Sequence, residues 1–370
     1  MKSKTLYLSC AFPNPNINIS PKTVSEILDM SLGYVIKHLA TIPSTAGCLY
    51  VDTLYKILDA GYAQTHSLNS VNFSECNTLV VDDLVHISGE FSTLSKYHDI
   101  LLKHKNIKIV PISFGIFHGY ELTARDKLIL KMMSERAEIG CRNELVADIL
   151  NKSGIKNIRV IGCPSLFYHM DRNFSIANKK DLQKINFSCL VWPVKFKKAT
   201  KNYLDYVLKT SQKYETIFTL QENPISELFD YIPFDNTYIV RILEEKNDFL
   251  QYLLNCGKYF YNLSDWIHGL IECDFTFSRK IHGSVASILA GVPAFCIAVD
   301  KVRMGGICEY HKIPFIHYTE FDDSKPIEYY YELADYTEFN KSYAATYDNF
   351  IDYCRKNDVD LKINKKQSED

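Results

Sequence analysis

Short apolar runs alternate with longer segments of helical spacing along this chain of 370 residues. The clearest run, at 107–114, ends at Gly115 and predicts a buried strand, and the shorter runs at 79–81 and 158–161 have the same character. Segments with the spacing of helices lie between them, at 97–104, 124–137 and 144–151. Strands that alternate with helices predict a parallel sheet covered on both faces.

A second α/β series follows a polar segment at 171–186, which we interpret as a linker. Its predicted elements are strands at 187–192, 217–220 and 258–261 and helices at 203–214 and 264–271. Two successive units of similar size predict a cleft between them. The predicted domains are 1–178, 179–325, a C-terminal helix at 326–356 that crosses back, and a charged tail at 357–370.

The segment 274–314 combines a strand, a basic turn, a helix of small and apolar residues and a second strand. The turn carries Arg279, Lys280 and His282, with Gly283 directly behind them. In open α/β sheets, ligands bind outside the carboxyl ends of the strands, where helix N-termini offer N–H groups to anions. Two cations and an imidazole at such a place predict a site for an anionic small molecule.

Composition narrows the class of protein. The 42 basic and 44 acidic residues nearly cancel and form no long basic stripe, which argues against a nucleic-acid binder. No run of 18 apolar residues predicts a membrane span. The 11 cysteines are scattered without C-x-x-C pairs, which is typical of reduced thiols in a cytoplasmic protein and gives no sign of a metal site.

Two blocks of sequence carry motifs at defined spacing. The first block reads G-C-R-N-E-L-V-A-D-I-L at 140–150, then G-I-K-N at 154–157 and V-I-G-C-P-S at 160–165. The second reads K-I-H-G at 280–283, A-G-V-P-A at 290–294 and C-E-Y at 308–310. Together these blocks resemble the polysaccharide pyruvyl transferase family, which usually has arginine where this chain has Lys280. Both blocks occur in the family's order, and the resemblance extends over residues 75–320.

The resemblance implies an α/β fold of two Rossmann-like domains in a GT-B-like arrangement with a cleft between them. It also implies transfer of a pyruvyl group from phosphoenolpyruvate to two hydroxyls of a sugar, which forms a ketal. Phosphoenolpyruvate is then a co-substrate, and no cofactor or metal is needed. The expected acceptor is a sugar or lipid-linked oligosaccharide of a capsule or exopolysaccharide, and the expected location is the cytoplasm, at the inner face of the membrane.

The same resemblance assigns roles to individual residues. Donor binding falls to Arg142, Arg279, Lys280, Gly283 and Ser284, since cations suit a ligand with a carboxylate and a phosphate. The catalytic candidates are His282 as general acid, with Glu144 or Asp300 accepting the hydroxyl proton. The acceptor-binding candidates are His118 and Trp192.

Structural interpretations stand beside these assignments. His282 could cap a helix, and Arg142 could pair with Glu138 or Glu144. Two other functions also fit the sequence: a GT-B-type glycosyltransferase that uses a nucleotide sugar, and a catalytically silent binding protein that retains the fold. Lys280 in place of arginine keeps both alternatives open.

Overall fold

The computed structural model describes residues 5–9, 20–30, 45–64, 71–82, 84, 94–117, 119–177, 181–188, 197–221 and 247–362. The strands in this part of the chain are β1 Thr5–Ser9, β2 Lys22–Thr23, β3 Gly61–Gln64, β4 Thr78–Val81, β5 Lys108–Pro111, β6 Ile139–Cys141, β7 Ile158–Val160, β8 Lys184–Ser188, β9 Glu215–Leu220, β10 Gly257–Tyr259, β11 Phe275–Ser278, β12 Ala294–Ala298 and β13 Phe315–His317. The helices are α1 Val24–Leu28, α2 Thr45–Ile57, α3 Ser95–Lys103, α4 Ala124–Ser134, α5 Glu144–Lys152, α6 Lys197–Ser211, α7 Asn247–Cys256, α8 Leu263–Leu270, α9 Ile281–Leu289, α10 Gly306–His311, α11 Ile327–Leu333 and α12 Thr337–Lys356.

A first parallel sheet has the strand order β3-β1-β4-β5. The parallel pair β6-β7 continues it, because Phe114 beyond β5 bridges to Cys141 in β6. We call these strands and their helices the first unit.

A second sheet has the order β13-β12-β11-β8-β9-β10-β2, and all its pairs are parallel except β10 with β2. We call β8–β13 and their helices the second unit. Its chain runs outward from β8 to β10 and then returns to β11 on the other side of β8, which is the strand order of a Rossmann fold. The predicted α/β fold with two Rossmann-like units is therefore confirmed. The point where the order reverses lies between β8 and β11.

Two elements pack on the unit from which they are distant in sequence. The short strand β2 pairs with the edge of the second sheet at β10, although residues 22–23 fall within the predicted first domain. In the other direction, α12 packs on the first unit, where the Tyr353 hydroxyl donates to Pro111 O over 2.7 Å and accepts from Gly140 N.

Two predicted elements differ from the structure. The linker expected at 171–186 ends inside β8. Asn186 makes this strand look polar in sequence, yet it is buried, because it bonds to Thr276 and Thr219 in the neighbouring strands. The single C-terminal helix is in fact α11 and α12. The Asp335 carboxylate accepts from the backbone N–H and hydroxyl of Thr337 and so starts a new helix.

Candidate functional site

The carboxyl ends of three adjacent strands carry a buried polar network at the reversal point. Ser188 ends β8 and Ser278 ends β11, and their hydroxyl oxygens lie 2.6 Å apart. Gln221, just after β9, donates to Ser188 Oγ over 2.8 Å. Gly283 in α9 lies directly above this network, because a Cβ there would stand 2.3 Å from Ser188 Oγ and 2.6 Å from Ser278 Oγ.

The network fixes the start of α9. Ser278 Oγ donates to Lys280 O over 2.5 Å and accepts from Lys280 N, so that Lys280 is the residue from which α9 begins. This places Lys280 and His282 at the helix N-terminus, where backbone N–H groups and the helix dipole favour an anion.

His282 is the titratable group at this helix end. Its side chain is half-buried, and within the described residues its Nδ1 atom is buried without a hydrogen-bond partner. Burial, together with the positive charges of Lys280, Arg142 and Arg303, lowers the pKa of His282 to about 3. The imidazole is therefore neutral at physiological pH unless a negative charge arrives.

Arg142 reaches this histidine from the first unit. It follows β6 and is only 3% exposed. Its Nε donates to Ser113 Oγ over 3.2 Å and its Nη2 to the Tyr50 hydroxyl over 2.7 Å. Ser113 adopts a left-handed backbone with φ 60°, a costly conformation for serine that accompanies this contact. Since Glu138 pairs with Arg159 and Lys356, these contacts differ from the predicted alternative of an Arg142–Glu138 pair.

Arg303 is a third cation, and it comes from the single turn of π-helix Lys301–Gly305 that follows β12. Asp300 begins that turn, and its Oδ1 accepts from the backbone N–H groups of Val302 and Arg303, each over 2.8 Å. The guanidinium lies 5.0 Å from the centre of the Phe117 ring of the first unit. Burial and then Arg142 lower the pKa of Arg303, while Asp300 acts in the opposite direction.

A hydrogen bond between the two units holds the two arginine segments together. Asn143 Nδ2 donates to Val302 O over 2.6 Å, and these two residues directly adjoin Arg142 and Arg303. Gly306 permits the approach, because a Cβ there would stand 2.3 Å from Asn143 Nδ2. We call Arg142, Lys280, His282 and Arg303 the cationic site. Like charges held near a neutral imidazole make a site suited to an anion.

The other predicted residues have different surroundings. Arg279 is fully buried with its guanidinium 4.7 Å from the Tyr203 ring centre, and it is not among the charges that act on His282. Glu144 is exposed in the first turn of α5, and Asp300 serves as the cap described above. Ser284 is fully buried in α9. His118 and Trp192 lie outside the described residues.

Sequence reasoning missed Arg303, Tyr50 and Asn143 as members of the site. Arg303 had a usable signal, because D-K-V-R follows a strand at the same edge of the sheet as Lys280 and His282. Tyr50 lies within α2 and has no such signal. In the part of the chain that the structure describes, no three metal-ligating side chains lie together, and no helix is long and apolar enough to cross a membrane.

Comparison with known proteins identifies a matching family. The family model for polysaccharide pyruvyl transferase matches residues 12–301, which include the Arg142 and His282 segments. No curated protein matches the chain.

Several solved structures are similar in outline. UDP-GlcNAc 2-epimerase from Methanocaldococcus jannaschii is 13% identical, with 88% of this chain and 91% of that chain covered and a TM-score of 0.45. A putative UDP-N-acetylglucosamine 2-epimerase from Listeria monocytogenes is 10% identical, with 94% and 91% covered and a TM-score of 0.46. The glycosyltransferase SnogD from Streptomyces nogalater is 9% identical, with 95% and 96% covered and a TM-score of 0.37. Similarities this distant carry no argument about function.

Proposed function

The chain belongs to the polysaccharide pyruvyl transferase family, and on this premise we propose that it transfers a pyruvyl group from phosphoenolpyruvate to two hydroxyls of a sugar. The observation that supports the donor is the cationic site, in which the positive charges of cations from both units act on a neutral His282. Phosphoenolpyruvate carries three negative charges when fully ionised, and it would offset the repulsion among these cations.

The reaction has two additions to one carbon. The first sugar hydroxyl forms a C–O bond to C2 of phosphoenolpyruvate and gives up its proton, while C3 gains a proton and becomes a methyl group. The second hydroxyl then forms a C–O bond to C2 as the bond from C2 to the phosphate oxygen breaks. The proton of this second hydroxyl leaves with the phosphate. One donor and two hydroxyls give one ketal and one hydrogen phosphate.

His282 suits the proton transfer to C3 once the donor is bound. A bound anion favours the charged imidazole, so it raises the pKa of His282 from its low value in the free protein. Protonation is thereby coupled to donor binding, and a protonated His282 would not form without a donor to receive its proton. The acceptor is proposed to be a sugar of a surface polysaccharide or of its precursor.

The test is a thermal-shift titration of the full chain with phosphoenolpyruvate and, separately, with a panel of nucleotide sugars. We expect phosphoenolpyruvate to raise the melting temperature and His282→Ala to abolish that rise. The exposed His268 in α8 gives a matched control, since His268→Ala should retain the rise. Stabilisation by a nucleotide sugar alone would contradict the proposed donor and favour a glycosyltransferase. Stabilisation by neither class would favour a binding protein.

A further inference from the structure

Arg303 differs from Arg142 in how many of its donors are already engaged. Two of the three guanidinium nitrogens of Arg142 donate to Ser113 and Tyr50. Within the described residues, no hydrogen bond or ion pair engages the guanidinium of Arg303, which is half-buried and lies 5.0 Å from the centre of the Phe117 ring. A cation–π contact uses the charge of a guanidinium and none of its N–H donors, so these stay open to a ligand.

Hydrogen bonds and a ring contact hold Arg303 in place. Its backbone N–H is held by the Asp300 carboxylate, and the preceding carbonyl, Val302 O, is held by Asn143. Its side chain then crosses to Phe117 in the first unit. Three contacts, two of them to the first unit, thus fix a cation whose own donors stay available.

The remaining cation of the site has another geometry. Lys280 carries a point charge at the N-terminus of α9, where backbone N–H groups suit a phosphate, whereas a guanidinium offers two parallel N–H groups to one anionic group. Because two nitrogens of Arg142 are already used, Arg303 is the group in the cationic site with a whole guanidinium edge to offer.

We propose that Arg303 makes the two-point contact with the carboxylate of the donor, while Arg142 and Lys280 supply charge. This inference rests on the proposed function for the identity of the donor. It makes Arg303 a determinant of specificity, because the N-terminus of α9 suits the phosphate and the fork of Arg303 is then left for the carboxylate.

The test compares Arg303→Lys with the wild-type chain and titrates three probes: phosphoenolpyruvate, pyruvate and inorganic phosphate. Lysine keeps the charge and loses the fork, so we expect the Kd for phosphoenolpyruvate and pyruvate to rise about tenfold and the Kd for phosphate to change less than about twofold. Arg125→Lys, on the exposed side of α4, is the control and should change none of the three.

A second readout is independent of the carboxylate ligands. In Arg303→Ala the pKa of His282 should rise, since one of the cations that lower it is removed, whereas Arg303→Lys should leave it nearly unchanged. NMR of the histidine ring measures both.

The outcomes separate the two proposals. If pyruvate binding depends on Arg303 but phosphoenolpyruvate does not bind, the proposed donor is wrong and the carboxylate contact stands. If Arg303→Lys weakens phosphate as much as phosphoenolpyruvate, or weakens nothing, the carboxylate contact is wrong. If the wild-type chain binds neither carboxylate, both proposals are overturned.

Discussion

At the scale of single residues, the proposed chemistry depends on an imidazole that must gain a proton to act. His282 is neutral in the free protein because burial and three cations oppose its charge. A donor that brings negative charge would reverse that balance, so the proton would arrive with the ligand. The residues proposed to bind the donor would therefore also control when His282 becomes an acid.

The first prediction concerns the pKa of His282. We expect a value of about 3 without ligand and a rise towards the ordinary value of about 6.5 when phosphoenolpyruvate is added. Titration of histidine ring signals by NMR measures both states, with the signal of exposed His268 as the internal reference. A free-protein pKa near 6.5 would contradict the description of the cationic site.

The second prediction contrasts two neighbours in α9. Gly283→Ala pushes a Cβ into the network of Ser188, Ser278 and Gln221, and it should reduce the free energy of unfolding by about 1–3 kcal/mol. Ser284→Ala removes a buried hydroxyl that has no hydrogen-bond partner in the described part of the chain, so stability should stay level or increase. Urea denaturation measures both.

The Ser284→Ala variant also tests the predicted role of Ser284 in donor binding. Loss of phosphoenolpyruvate binding in Ser284→Ala at unchanged stability would support a direct contact with the donor. Unchanged binding would make this hydroxyl irrelevant to the site.

Residue identities alone locate part of the site, and the reason is local geometry. Lys280 and His282 follow a strand end and begin a helix, and this short-range pattern is visible in sequence. Arg279 cannot join them, because adjacent side chains in extended backbone point to opposite faces, and its own face is covered by Tyr203 of α6. Arg303 also follows a strand end, but its position depends on Asn143, whose bond to Val302 O spans 159 positions and is encoded by no local pattern.

At the scale of elements, the π-helical turn at 301–305 is the part that brings the two units to one site. The backbone N–H groups of its second and third residues donate to Asp300, its second carbonyl accepts from Asn143, and its third side chain contacts Phe117. Strands and helices of this kind follow from apolar spacing, and most were predicted. The π-helical turn has no apolar spacing that would predict it. The predicted start of β8 lies too far along the chain, because Asn186 is polar and its side chain bonds to the neighbouring strands.

The third prediction tests this turn. Asn143→Ala removes the bond to Val302 O, so Arg303 should lose its fixed position and the Kd for phosphoenolpyruvate should rise about tenfold. Asn157→Ala is a matched control, because Asn157 Nδ2 makes a similar bond to Ser134 O within the first unit. Calorimetric titration of both variants measures the difference. Equal effects on binding would show that the turn does not position Arg303.

At the scale of the whole molecule, the two units share part of their interior. One buried apolar cluster includes Tyr7 of β1, Leu54 of α2, Phe277 of β11 and Phe350 of α12, while a second lies within the first unit. His311 joins the units as well, since its Nε2 accepts from Cys163 N over 2.8 Å. That bond requires a neutral imidazole, and burial lowers the pKa of His311 to about 3.

The fourth prediction follows from the pKa of His311 and that of Asp52. Between pH 4 and 6 the unfolded chain protonates His311 and the folded chain does not, so this residue makes the free energy of unfolding fall as pH falls, by at most about 1.4 kcal/mol per pH unit. Asp52 acts in the opposite sense, because burial raises its pKa to about 6 and the folded chain holds a proton that the unfolded chain releases.

Matched variants isolate the two effects. Over pH 4–6, His311→Gln should flatten the rise of unfolding free energy with pH, and Asp52→Asn should steepen it. Urea denaturation at several pH values gives both slopes. Parallel slopes for all three proteins would contradict the assigned pKa values.

The exchange of β2 and α12 between the units has a consequence for synthesis of the chain. Gly140 N meets the Tyr353 hydroxyl across a separation of 213 residues, which a ribosome takes roughly 10–40 s to add at 5–20 residues per second. Throughout that interval, the surface around Pro111 and Gly140 has been translated but lacks its cover. The nascent first unit therefore keeps this surface exposed until α12 has been translated.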